Sequence, residues 1–223
     1  MKILILLINY NNPPSLRENI ISLQDFMKKN YYEDEIDYAC VSSFDDFYIY
    51  EDILTFKYKM INKKKQFNKM CDFLSKYKNE MNYDWYIKTR PEVKILDKIN
   101  FNELSDISIN ARARVYIGPK KILYGSSTGG DGVWKNYKQC NYDFEEKSIV
   151  LDDQIYLFHN NVILNEAFKV IDEYKDERED ESFHTKYWKI RNIPLNVIGI
   201  NIMFSYPKES WGDIGYSGHL NIE

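Results

Sequence analysis

The chain has 223 residues, 44% of them hydrophobic and 16% aromatic, which supplies one substantial core and excludes wholesale disorder. A formal net charge of -4 and an isoelectric point near 5.6 argue against a nucleic-acid-binding face, and no nucleic-acid partner is expected. Cys40, Cys71 and Cys140 stand far apart in mostly apolar surroundings, so they read as reduced core residues rather than a disulfide frame or a zinc site. A reducing compartment follows, and a cytoplasmic location is expected.

Residues 2–8 form an apolar run that Asn9 interrupts at once. The run is too short for a signal or transmembrane helix, no transmembrane segment is expected, and its continuous apolar character predicts a strand covered on both faces. Ser15 and Glu18 have the spacing of a capping box, and Leu16, Ile20, Leu23 and Met27 recur at helical spacing, which predicts a helix over about 16–28. Residues 36–42 read as a second strand, with Asp37 near its start and Ser42 at its end. Phe67, Met70, Cys71, Leu74 and Tyr77 then line one face of a second helix. This alternation of strand and helix predicts a Rossmann-like half.

The next strand runs into a cluster of charge at Tyr83-Asp84-Trp85-Tyr86-Ile87-Lys88-Thr89-Arg90-Pro91-Glu92-Val93. Trp85 to Ile87 have the β-branched and aromatic character of a buried strand, and Pro91 cannot donate to a ladder, so the strand should end near Arg90. If the backbone stays extended through the proline, Lys88, Arg90 and Glu92 project toward one side. Two cations beside a carboxylate suit a phosphorylated ligand with a divalent metal; the competing reading is a strand edge closed by a solvated ion pair.

Beyond Pro91 the pattern changes. Residues 107–117 alternate apolar positions with Asn110, Arg112 and Arg114, as in a half-exposed strand with both arginines on one side. Residues 125–132 are Gly-rich without helical or strand period and predict a loop. Asp152 and Asp153 open a strand over 155–158, a helix is expected over about 162–174, residues 175–181 read as a charged connector, and residues 182–189 look helical. A late strand over 195–204 precedes a Gly-rich tail carrying Trp211 and His219. There is no internal repeat and no separating linker, so one domain is expected over 1–223. Phosphate-loop, dinucleotide-fingerprint and zinc-protease motifs are absent from the sequence.

The string at 83–93 resembles the Tyr-Asp-aromatic-x-aliphatic-Arg/Lys-Thr-Arg-Pro-Asp signature of a set of viral and bacterial glycosyltransferases with the GT-A fold. Two further stretches extend the resemblance. Residues 62–74, with Gln66, Phe67 and Lys69, are similar to the family's Gln-aromatic-x-Lys helix, and residues 151–157, with Asp153 and Gln154, to its Asp-Gln segment. The chain departs from the usual GT-A Asp-x-Asp motif twice, because Arg90 stands where the first Asp would be and Glu92 replaces the second.

The resemblance implies a single-domain α/β protein with a mixed, mostly parallel sheet flanked by helices, residues 1–95 forming a nucleotide-binding half and 96–223 an acceptor half with a C-terminal tail. It implies transfer of a sugar from a nucleoside diphosphate sugar, a UDP-sugar favoured, to a glycan or other hydroxyl acceptor. Glu92 would ligate Mn²⁺ or Mg²⁺, with His219 as a late ligand, while Arg90 or Lys88 would supplement or replace that ion. Asn9 and Tyr10 would receive the base and ribose, with Asp37 and Ser42 as weaker candidates. Gln66 and Lys69, three apart on one helix, would reach the ligand or lie on a solvated face, and Arg112 and Arg114 would meet the diphosphate or acceptor or lie on an exposed strand. Asp153, beside Asp152, would act as general base or hold a sugar hydroxyl; the alternative is that the pair caps a turn and holds a loop. His159 and His184, next to expected helix ends, read as structural. If the origin is viral, the location is the host cytoplasm. A rival reading is a non-catalytic carbohydrate- or nucleotide-binding module on the same fold, and a nucleotidyltransferase ranks last because residues near Tyr10 lack its Gly-rich loop.

Overall fold

In a computed structural model of the chain, the described residues are 1–9, 16–116, 122–124, 148–164, 168, 187–200 and 202–204. The first half runs β1 (Lys2–Ile8), α1 (Leu16–Asn30), β2 (Glu35–Ser42), β3 (Tyr58–Ile61), α2 (Gln66–Tyr77), β4 (Trp85–Thr89) and β5 (Val93–Ile95). The second runs β6 (Ile109–Tyr116), β7 (Ile122–Tyr124), β8 (Ser148–His159), α3 (Asn160–Leu164), β9 (Leu195–Val197) and β10 (Ile202–Phe204). The main sheet has the order β3-β2-β1-β4-β8-β6-β7, with β9 also beside β6, and β5 pairs with β10 apart from it. Pairings among β3, β2, β1 and β4 are parallel, as is β6 with β9, while β8 runs antiparallel to both β4 and β6, and β7 antiparallel to β6. The architecture is α/β with a mixed, mostly parallel sheet and a Rossmann-like first half.

Strand β1 explains why the sheet needs cover on two sides. Leu4, Leu6 and Ile8 pack with Phe67, Met70, Cys71 and Leu74 of α2, whereas Ile3, Ile5 and Leu7 pack with Ile20, Leu23 and Met27 of α1. All six of these β1 side chains are at most 1% exposed, and each contributes about 1.5–3 kcal/mol by leaving water. A strand with no polar face cannot sit at an edge, and the chain accordingly places β1 between β2 and β4. Cys40 and Cys71 are buried free thiols, and burial pushes the Cys40 thiol up.

Several boundaries differ from expectation. Helix α1 extends to Asn30. Strand β3 was not expected: only Tyr58 and Met60 pack inward against α2, Lys59 and Ile61 stay exposed, and so short a half-buried edge strand leaves a weak sequence signal. Strand β6 begins at Ile109, and β8 is far longer than residues 155–158. The late strand divides, because Ile198 and Ile200 turn into the core beneath α1 and carry the chain from β6 across to β5. Of the helix expected over 162–174, α3 covers the start and Phe168 is a buried turn residue; residues 187–190 are helical; the rest of both predicted helices, the Gly-rich loop over 125–132, the connector over 175–181, Cys140, His184 and the tail lie outside the described residues.

Candidate functional site

Parallel strands β1, β2 and β4 present their carboxyl ends at one edge of the sheet. The chain builds from β1 outward through β2 to β3, then returns to place β4 on the other side of β1. Helix α1 covers one face and α2 the other. The strand order therefore reverses between β1 and β4, and such a switch point is where a crevice opens at the carboxyl ends of the strands. Asn9 and Arg90 flank it.

The β1 side of the crevice is fixed by a buried lysine. Asn9 is 2% exposed; its backbone N–H donates to the Val41 carbonyl at 2.8 Å, and its carboxamide donates to Ser42 Oγ at 3.4 Å. Lys69 reaches from α2 with no exposed surface and donates from Nζ to the Asn9 carbonyl at 2.7 Å and to Ser43 Oγ at 2.6 Å. The ammonium thus ties the end of β1 to the turn after β2. In that turn the Phe44 N–H donates to Ser42 Oγ at 3.3 Å, a hydroxyl-anchored turn that leaves the Phe44 ring 60% exposed beside the crevice. Ser43 and Phe44 escaped the sequence reading, although two serines followed by an aromatic directly after a predicted strand is the available signal.

On the far side, β8 enters antiparallel to β4, with Tyr156 opposite Lys88. Against β6 its register slips: Ala111 faces Tyr156 but Ala113 faces Leu151, so residues 152–155 bulge opposite Arg112. Bulges of this kind re-aim side chains and bend a strand. Here the bulge carries the Asp153 carbonyl within reach of two donors, Lys88 Nζ and Gln66 Nε2, the latter at 3.2 Å. Lys88 is 1% exposed, and its ammonium also lies 5.1 Å from the centre of the Tyr156 ring. Asp153 itself remains only partly buried.

Two expectations need correcting. Asp152 and Asp153 do not open a strand; they sit inside β8 at its bulge, because pairing with β6 resumes from Leu151 back to Ser148. Nor does the backbone stay extended through Pro91. The Val93 N–H donates to the Arg90 carbonyl at 3.0 Å, closing a turn over 90–93 with proline at its second position, where its fixed φ fits. Instead of standing in a row with Lys88, Arg90 and Glu92 meet in an ion pair whose side chains are 23% and 6% exposed. Arg112 is buried at 2% exposure rather than half-exposed on an open strand.

The remaining candidates separate. Asp37 lies toward the amino end of β2, opposite Leu4, and accepts hydrogen bonds from Lys57 and from the Tyr83 hydroxyl at 2.6 Å. Burial resists its ionisation, but these two bonds outweigh that cost and hold its carboxyl below the ordinary value. It belongs to a surface network away from the crevice. His159 ends β8, accepts the Asn161 N–H at 3.2 Å and packs edge-on against Trp85, a structural role. Tyr10 and His219 lie outside the described residues. Among the described residues no group of three or more His, Cys, Asp or Glu side chains comes together as a metal set, and the Glu92 carboxylate is engaged by a guanidinium. Of the two ligands the resemblance implies, Glu92 alone lies among the described residues, and it offers a single carboxylate. No membrane-crossing helix occurs among them.

The crevice joins two buried ammonium groups, one guanidinium–carboxylate pair, an exposed aromatic ring and a carboxylate on a bulge. It can hold an anionic, partly aromatic ligand. No protein-family model and no curated protein matches the chain.

Proposed function

We propose that the chain is a GT-A-like glycosyltransferase that moves a sugar from a nucleoside diphosphate sugar, a UDP-sugar by preference, to a glycan or other hydroxyl acceptor. The observation that carries this reading is the convergence of Asn9, Lys69, Lys88, Arg90 and Asp153 on the switch-point crevice at the carboxyl ends of β1 and β4. That crevice is where open α/β sheets take nucleotides, and the residues reaching it are those singled out by the resemblance.

In this reading Arg90 meets the diphosphate. A guanidinium matches two phosphate oxygens at once and offsets charge growing on the leaving group without having to reorient. Binding exchanges the Arg90–Glu92 pair for a phosphate contact, while Glu92, left on the turn, restrains Arg90 in the absence of donor. Lys69 and Lys88 hold the Asn9 and Asp153 carbonyls, so they shape the crevice and add positive potential at short range rather than contacting phosphate. The Phe44 ring can stack on the base. Asp153, its backbone fixed by Lys88 and Gln66, accepts the proton of the attacking hydroxyl or orients a hydroxyl of the transferred sugar.

The non-catalytic reading is favoured by one specific feature, the engagement of both buried lysines with backbone carbonyls. Melting curves with UDP-, GDP- and dTDP-sugars, each with and without Mn²⁺, separate the two readings, since any ligand preferring the native state raises the melting temperature. A UDP-sugar shift that survives chelation and disappears in Arg90→Ala is expected. Sugar transfer lost in Asp153→Asn, with that shift retained, supports the catalytic role; a shift with no transfer under any condition supports the binding module. No shift with any nucleotide sugar overturns the proposal.

A further inference from the structure

The opposite edge of the sheet carries a second concavity that the transferase reading does not use. At the amino end of β1 lies a cavity of about 460 Å³, bounded by the turn after α1 and by residues 98–102. Ligand pockets span about 300–1,000 Å³. From Met1 to Asn9 the extended chain covers roughly 25 Å at about 3.3 Å per residue, so this cavity and the crevice are separate places.

Its floor is rigid. The Tyr31 hydroxyl donates to the Ile99 carbonyl at 3.1 Å and accepts the Ile99 N–H at 2.6 Å, and its ring packs edge-on against Phe101 with centres 5.7 Å apart. One tyrosine thus clamps both walls. The rim behaves differently. Tyr32 is 79% exposed, with no hydrogen bond or ring contact among the described residues, so a flat aromatic face stands open to solvent beside a preformed hollow. On the facing wall Asn102 is exposed, and its carboxamide has no hydrogen-bond partner among the described residues.

Charge narrows the ligand class. Lys98 shares the lining with two carboxylates, Glu33 and Asp34. A phosphate or nucleotide would meet two carboxylates, and a purely apolar ligand would desolvate the Asn102 carboxamide without replacing its hydrogen bonds. A neutral molecule with one apolar face and a rim of hydroxyls meets neither penalty. Its C–H face covers the Tyr32 ring, and adjacent hydroxyls match the paired donor and acceptor of a carboxamide.

We propose that this amino-edge cavity binds a neutral saccharide unit, stacked on Tyr32 and hydrogen-bonded by Asn102. The site stands on its own geometry and does not depend on the transferase reading. Saturation-transfer NMR with maltotriose, cellotriose and chitotriose as probes tests it on the full chain, with Tyr32→Ala, Asn102→Ala and Arg90→Ala as variants. Both cavity substitutions are at exposed positions, and an unchanged melting temperature verifies folding. At least one trisaccharide is expected to give a signal that weakens about tenfold or more in Tyr32→Ala and severalfold in Asn102→Ala, but not in Arg90→Ala. Binding that persists in Tyr32→Ala, binding lost only in Arg90→Ala, or no signal from any of the three with folded wild-type protein overturns the proposal.

Discussion

Lys69 shows how a charged residue is committed by its surroundings. Fully buried on α2, it donates to the Asn9 carbonyl and to Ser43 Oγ, and removing the ammonium leaves the carbonyl of buried Asn9 without that donor. Lys69→Met, close in shape and without a donor, is expected to cost about 1–3 kcal/mol, measured by urea unfolding. A cost below about 0.5 kcal/mol would mean that the crevice holds its shape without the lysine. Arg90 and Glu92 allow a sharper test, because their substitutions should act in opposite directions. Glu92→Gln releases the guanidinium and is expected to tighten UDP binding about tenfold, whereas Arg90→Ala weakens it by about that factor or more, read by calorimetry. At this scale the sequence marked candidate residues but not what they touch. Lys-x-Arg-x-Glu has one reading in an extended strand and another in a turn, and the Val93 N–H bond to Arg90 selects the turn.

Elements with a strong period were legible. Helix α1 shows its apolar stripe at Ile20, Leu23 and Met27, α2 at Phe67, Met70 and Leu74, and β1 its unbroken apolar run, so the Rossmann-like half follows from pattern alone. What escaped was set by partners distant in sequence. Strand β3 exists because β2 offers an edge, and the slip between β6 and β8 leaves no trace in the local sequence around Asp152 and Asp153. These differences should appear in hydrogen exchange. Amides of β1, hydrogen-bonded on both sides and sealed on both faces, are expected to exchange only through global unfolding, and those of β3 much sooner through local opening. Equal protection in the two strands would mean that the sheet opens as one unit.

At the scale of the whole molecule, buried tyrosines set an alkaline limit. Burial pushes the hydroxyls of Tyr31, Tyr38 and Tyr86 up to about 12, from an ordinary value of 10.0. The folded protein keeps them neutral while the unfolded chain ionises them, so their contribution is complete below pH 10 and is lost as pH rises toward 12. Unfolding should therefore begin above about pH 10, with tyrosinate absorbance rising together with the loss of circular dichroism. Absorbance from these three rings before any unfolding would show that they reach solvent in the native state. Asp37 acts at the other extreme: its lowered value gives stability that is present near neutrality and lost as pH falls through the carboxylate range.

Strand β4 has one further consequence. All five of its residues are buried, and of its two neighbours β1 is made early, while β8 arrives about 70 residues later, with Trp85 waiting for His159. During synthesis the apolar strand beside the crevice is thus an unshielded edge, able to pair with the same strand of another nascent chain. Charged Lys88 and Arg90, together with Pro91, stand at its end and act as gatekeepers during that interval. In the proposed reading, the cluster that receives a ligand in the finished protein would also protect the growing one from its own kind.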